Sequence, residues 1–181
     1  HLEKLIPFIH FACTSEDINS TAYALMLKDA KVLIINQLQM VLAGISNIAN
    51  HHADLSMLSR THGQPASPTT LGKEFKNFQA RLTRQVNHLK KIPIQAKFSG
   101  AVGNFNAHCI AYPDQDWPQI CATFIASLEL QFNRYTTQIE PHDELAAFWH
   151  QLIRINNVLL DMCRDIWQYI SLQYFHQRKN E

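Results

Sequence analysis

Apolar residues along this chain recur at three- and four-residue steps far more than at alternate positions, the period of helices rather than strands. From about 17 to 50, Ile34, Leu38, Val41, Leu42, Ile45, Ile48 and Ala49 keep that step. A helix there is roughly 50 Å long, at about 1.5 Å per residue. Strand signals are weak everywhere; the run Val32-Leu33-Ile34-Ile35 sits inside helical periodicity. A polar break follows at 51–56. The segment 58–68 then holds Gly63, Pro65 and Pro68, which exclude a continuous helix. Ser67 before Pro68 suits an N-cap and first helical position, so a second helix is predicted to start there. Its stripe is Leu71, Phe75, Phe78, Leu82, Val86 and Leu89, a seam for another helix, and Pro93 ends it.

The stretch 98–117, with Gly100, Gly103 and Pro113, reads as an irregular loop. A short helix fits 117–130, and a second loop fits 131–140. Pro141 suits the first turn of a last long helix reaching about 176, with Asp143 and Glu144 complementing its dipole. Phe148, Trp149, Leu152, Ile155, Leu159, Trp167 and Ile170 cover more than one face of it. Ile153, Val158, Leu160, Tyr169 and Leu172 fill much of the rest. A helix apolar nearly all round must be buried among several others. Three long helices from one chain cannot surround it. The expected fold is therefore all-α, a single helical domain over 1–181 forming a long-helix bundle completed by oligomerisation.

Composition narrows the picture. Against 15 acidic residues stand 16 Lys and Arg, for a net charge of +1 over 181 residues. That balance speaks against a nucleic-acid or polybasic membrane surface. Hydrophobic residues are 46% of the chain, enough for a sizeable core. With a mean hydropathy of −0.18 and no apolar run approaching about 18 residues, no membrane span is expected. The four cysteines never form CxxC and read as reduced thiols of a cytoplasmic protein. No signal peptide is visible and no initiator Met. The chain opens on His1 and closes on Arg178-Lys179-Asn180-Glu181 without a turn signal, so it is expected to be a piece of a longer protein.

Polar chemistry concentrates at a few loop-to-helix junctions. Thr14 and Ser15 stand at a helix start, where hydroxyls and free N–H groups make a seat for a carboxylate or phosphate. Thr14-x-x-Asp17 also reads as a near capping box, and on local sequence alone plain capping is favoured. His62, between Thr61 and Gly63, sits where an imidazole acts as general acid or base, or is one surface histidine among ten. Gln138 suits a substrate amide or carboxylate, or a loop cap. Gly100-x-x-Gly103 lets a loop approach a ligand closely but is too sparse for a dinucleotide fingerprint. No HExxH or Walker pattern occurs, and His51-His52 cannot chelate from one helical face, so no metal site is expected.

The segments CTSEDIN (13–19), SRTHGQPASPTTLGKE (59–74), SGAVGNFNAH (99–108), AYPDQDW (111–117) and TTQIEPHDELAAF (136–148) together resemble the adenylosuccinate lyase family, in a bacterial branch. The resemblance runs through essentially the whole chain, in order. The wider fumarase/aspartase superfamily shares the TS and TH patterns. TTQIEPHD and AYPxxDW point to the adenylosuccinate member. The resemblance implies a homotetramer built on a bundle of long helices. It implies β-elimination of fumarate from adenylosuccinate, giving AMP, and from the succinyl-carboxamide ribotide of purine synthesis. It implies no metal and no organic cofactor. Residue by residue, His62 matches the general acid at the leaving nitrogen. Thr14 and Ser15 match the pair that binds the anionic end of the substrate, and Gln138 a substrate-binding glutamine. The family's base, a serine in an SSxMPxKxN loop, has no counterpart among the 181 residues. Nor do its N-terminal Arg-Tyr and Asn-His-Asp contacts. The chain is thus expected to be the central portion, inactive in isolation. Two other readings stay open: a sister lyase of argininosuccinate or aspartase type, or a non-catalytic oligomerisation bundle.

Overall fold

The structure, a computed structural model, describes residues 2–176 and Arg178. His1 and the predicted polar close at 179–181 lie outside the described residues. After a short 3-10 helix (Leu2–Phe8) comes α1 (Ser15–His51), then a hairpin of β1 (Ser56–Thr61) and β2 (Gln64–Thr70). Next are α2 (Leu71–Lys91), β3 (Gln95–Ala96), α3 (Asn106–Ala111), α4 (Trp117–Ser127), β4 (Gln131–Phe132) and α5 (Asp143–Ser171). The chain is 63% helical, which places it in the all-α class despite the hairpin. It divides into two compact units: His1–Leu33 with Ile92–Ala147, and Ile34–Lys91 with Phe148–Glu181.

In the first unit, β3 and β4 pair in parallel through Gln95↔Gln131 and Ala96↔Phe132. Behind them Ala24, Ala96, Ile125 and Leu130 form a small core flanked by Ile94, Phe98 and Phe132. Asp116 caps α4 by accepting from the Gln119 N–H at 3.1 Å, with Pro118 in the first turn. The start of α5 differs from the sequence pattern. Glu140 is buried and accepts from the His142 N–H at 2.6 Å and from Asn133 Nδ2 at 2.9 Å. His142 takes φ 67°, which no helix continues through, so Pro141 stays in the loop and α5 begins at Asp143.

In the second unit the predicted stripe of α2 holds: Leu71, Phe75, Phe78, Leu82, Val86 and Leu89 are all buried. Leu82 and Leu89 are fully enclosed, each contributing about 1.5–3 kcal/mol. α5 buries Phe148, Gln151, Ile155 and Val158, and Gln151 Nε2 donates to the Gln85 carbonyl at 2.9 Å. Arg81 meets Asp161 at 2.6 Å. The α1 stripe is narrower than predicted. Leu38, Ile45 and Ala49 are buried, while Val41 and Ile48 stay exposed.

Further expectations need correction. The loop 58–68 is a β-hairpin, and α2 starts at Leu71 rather than at Ser67-Pro68. Pro65 pairs opposite Arg60 and Pro68 opposite Leu58. Proline is tolerated because both strands of a two-stranded ribbon are edges, so a missing N–H faces outward. Thr70 takes the capping role, its hydroxyl accepting from the Lys73 N–H at 3.2 Å. Second, α1 does contain an 18-residue window long and apolar enough to cross a membrane, and only 17% of that window is buried.

Gly72 lies where a side chain has no room. A Cβ there would run into the carbonyl of Ala49 and stand 2.6 Å from Ala53 Cα. Gly72→Ala is expected to destabilise the protein by about 1–3 kcal/mol through overpacking, read as a lower denaturant midpoint with unchanged slope.

Candidate active site

Three of the four predicted site residues belong to the first unit. Ser15 opens α1, and Thr14 precedes it. The near capping box is half formed. The Asp17 carboxylate reaches back to the Thr14 N–H at 2.8 Å, and the Asp17 N–H donates to the Thr14 carbonyl at 3.1 Å. The Thr14 hydroxyl instead accepts from Gln138 Nε2 at 3.3 Å, a contact spanning 124 positions. Thr14 and Gln138 are thus side by side, with exposed Ser15 next in chain. A hydroxyl pair, an amide and the first N–H groups of a 37-residue helix are suited to holding a carboxylate.

A buried ion pair holds this group. Lys97 Nζ and Asp17 Oδ1 stand 2.6 Å apart with both side chains at 0% exposure. The ammonium also donates to the carbonyls of Gly100 at 2.8 Å and Gln138 at 2.9 Å. The carboxylate accepts from the N–H groups of Ser99 at 2.9 Å and Gly100 at 3.1 Å. Ser20 Oγ donates to the Lys97 carbonyl at 3.2 Å.

The glycine loop beside it is tightly drawn. Gly103 takes φ 82°, and a Cβ there would run into the Thr136 carbonyl. Phe105 folds back so that its N–H reaches the Ser99 carbonyl at 2.9 Å. His108 is 2% exposed, its ring 5.0 Å from that of Trp117 and edge-on to Phe11 and Phe105. Its Nδ1 has no partner among the described residues. Burial pushes its pKa below the ordinary histidine value, with the Asp17 charge acting upward and Lys97 downward. The Cys121 thiol is pushed up to about 11, chiefly by burial and then by Asp17 and Cys13. It is inert at neutral pH.

His62 lies in the second unit, at the tip of the β1–β2 hairpin. With Gly63 it makes a two-residue turn in which both residues have positive φ, 52° and 76°. This is the turn whose twist suits a hairpin. A histidine in that region is uncommon and somewhat strained. The exposed ring has Nδ1 3.2 Å from Thr61 Oγ1, and Arg60 donates to the Gly63 carbonyl at 3.1 Å. At its base the hairpin is tied down by Tyr174 Oη donating to the Leu58 carbonyl at 3.1 Å and Thr69 Oγ1 donating to Glu74 at 2.9 Å. Among the described residues no cluster of three His, Cys, Asp or Glu side chains is arranged for a metal ion.

A family model described as lyase matches residues 3–180. The chain belongs to that lyase family. An adenylosuccinate lyase of Legionella pneumophila (strain Corby) is 56% identical over 178 residues, covering 98% of this chain and 39% of that protein. The adenylosuccinate lyase of Escherichia coli (strain K12) is 48% identical over the same shares. The chain thus spans about two fifths of the length of these curated relatives. A fumarate lyase from Mesorhizobium sp. BNC1 superposes with a TM-score of 0.81 at 24% identity, over 91% of this chain and 38% of its own. That likeness is one of fold. A 3-carboxy-cis,cis-muconate lactonizing enzyme from Pseudomonas putida gives 0.79 at 26% identity, over 95% of this chain and 38% of its own.

For this lyase-family chain the sequence pattern missed Lys97 and His108, and read Asp17 only as a cap. A signal was present for the lysine: it stands between Ala96 and Phe98, an apolar setting just ahead of a glycine loop. His108 carries a pH consequence. A histidine whose folded pKa is depressed binds its proton more readily in the unfolded chain. Stability is therefore full above the unfolded value, about 6.5, and falls as pH drops from there toward the folded pKa. His108→Gln is expected to flatten that loss in denaturant titrations run between about pH 7 and pH 5.

Proposed function

We propose that the intact protein is a fumarate-releasing lyase acting on an N-succinyl nucleotide of adenylosuccinate type, in bacterial purine synthesis. What carries this reading is the meeting of Thr14 and Gln138 beside Ser15 at the start of α1, in a chain whose adenylosuccinate lyase relatives match it almost end to end. In the reaction a base removes a proton from the succinyl carbon next to a carboxylate, the C–N bond breaks, and a C=C bond forms. The departing nitrogen takes a proton. Negative charge grows on the carboxylate as the carbon proton leaves, and preorganised donors there stabilise the transition state. Thr14, Ser15 and Gln138 supply donors that hold this anionic end already in the ground state, so their loss is expected chiefly in KM. His62 is the acid at nitrogen, presented on an exposed hairpin tip where its ring is open to substrate. The base, in this reading a serine, comes from outside the 181 residues. The elimination so written uses no metal or organic cofactor. The free cysteines fit a cytoplasmic enzyme.

Incubating the intact enzyme with adenylosuccinate tests this directly. Fumarate release is expected, and its absence with active release from argininosuccinate or aspartate would move the protein to a sister lyase. His62→Gln should lower kcat by about 10²-fold or more with little change in KM or melting temperature. A near-normal kcat would remove His62 from the mechanism.

The working enzyme is, in this proposal, a homotetramer. On α1 Met26 and Met40 are about two-thirds exposed in the single chain, and on α5 so is Trp167, at 69%. Trp149, Ile153 and Leu160 are exposed on α5 as well. Apolar surface on this scale marks an interface. Leu160→Glu leaves the buried face of α5 untouched, so it is expected to dissociate the assembly without unfolding the subunit, read by light scattering and circular dichroism. A tetramer that survives this substitution would place the interface elsewhere.

A further inference from the structure

We propose that Asp17 and Lys97 are positioning residues for substrate binding: the buried pair grips the main chain of Thr14, Gly100 and Gln138, and so sets the distance between the Thr14 hydroxyl and the Gln138 amide. The inference rests on the reading of Thr14, Ser15 and Gln138 as the anion-binding group. Apart from each other, the two charges bond to backbone atoms. These are the N–H groups of Thr14, Ser99 and Gly100 and the carbonyls of Gly100 and Gln138. The three protons of the ammonium are matched by Asp17 Oδ1 and the two carbonyls. No side chain of the binding group is consumed. The Thr14 hydroxyl and the Gln138 amide are left facing one another, and Gln138 remains exposed.

Apolar residues of similar volume could replace an isolated buried ion pair, but not one that also satisfies five backbone groups. This one joins two loops that lack a shared ladder, residues 97–100 and 138, to the first turn of α1. Each loop carries a group expected to touch substrate or to approach it. Removing the charges while keeping the shape should therefore loosen binding more than folding.

The test uses the intact enzyme with adenylosuccinate, below the melting temperature of every variant. Lys97→Met combined with Asp17→Asn is neutral and close in volume. It is expected to remain folded with a lowered melting temperature and to keep its kcat within a few-fold, while KM rises by about tenfold or more, the worth of one bond to a charged group. A folded double variant with unchanged KM overturns the inference. Gln138→Ala is measured alongside. If it leaves KM unchanged, the binding-group reading fails on its own account. If it raises KM and the pair variant does not, the positioning role alone fails. Should the double variant not fold, Lys97→Arg carries the comparison, because it keeps a cation beside Asp17 while replacing three radiating donors with a planar fork. Loss of the fold in both would show a structural pair and overturn the inference.

Discussion

The contact between Asp17 and Lys97 is the constraint on which the first unit depends. Two ions at 0% exposure each lose several kcal/mol of hydration, which only close geometry and further hydrogen bonds offset. Both conditions are met. The ammonium has an acceptor for each proton, and the carboxylate lies in the first turn of a long helix, where the dipole favours negative charge. The loops gain as well. Residues 97–100 and 138 have few regular ladder partners, and buried backbone groups left unpaired are costly. The pair satisfies them with charge-assisted bonds. It also explains why Gly100 is a glycine: at φ 81° it turns its N–H onto Asp17 and its carbonyl onto Lys97 at once.

The helices were legible because their signals are local and repeated. Leu71 to Leu89 spells one buried stripe, and the structure buries each member. The hairpin was not legible, because prolines at 65 and 68 argue against strands when the strand count is unknown. In a ribbon of two strands that objection loses its force. Its turn, His62-Gly63, lacks the asparagine or aspartate that usually announces positive φ at the first position. The early start given to α2 has the same origin. Ser67-Pro68 is good capping chemistry in isolation, but pairing across the ribbon outweighs it.

At the candidate site, the polar groups at the junctions were legible as such and their arrangement was not. Thr14 and Gln138 stood out as polar groups at junctions, yet 124 positions separate them and no spacing rule joins them. Lys97 was passed over because a lysine is normally a solvated residue. Only the fold shows that it is sealed. His108 was hidden for a related reason. It was one of ten histidines, and its burial arises from Phe11, Phe105 and Trp117, drawn from three separate stretches of chain.

The apolar window of α1 poses a choice between lipid and protein as its cover. The stretch 32–49 holds no charged residue, but it carries Asn36, Gln37, Gln39, Ser46 and Asn47. These polar groups fall within one half of the helix circumference rather than at its ends. Facing hydrocarbon, each amide would lack a partner and cost several kcal/mol. Against other helices the same groups find carbonyls and amides, as Gln151 of α5 does on Gln85 of α2. The exposed apolar residues between them then supply the area and the amides supply the register. A helix with this mixture is better matched to a protein bundle than to a bilayer.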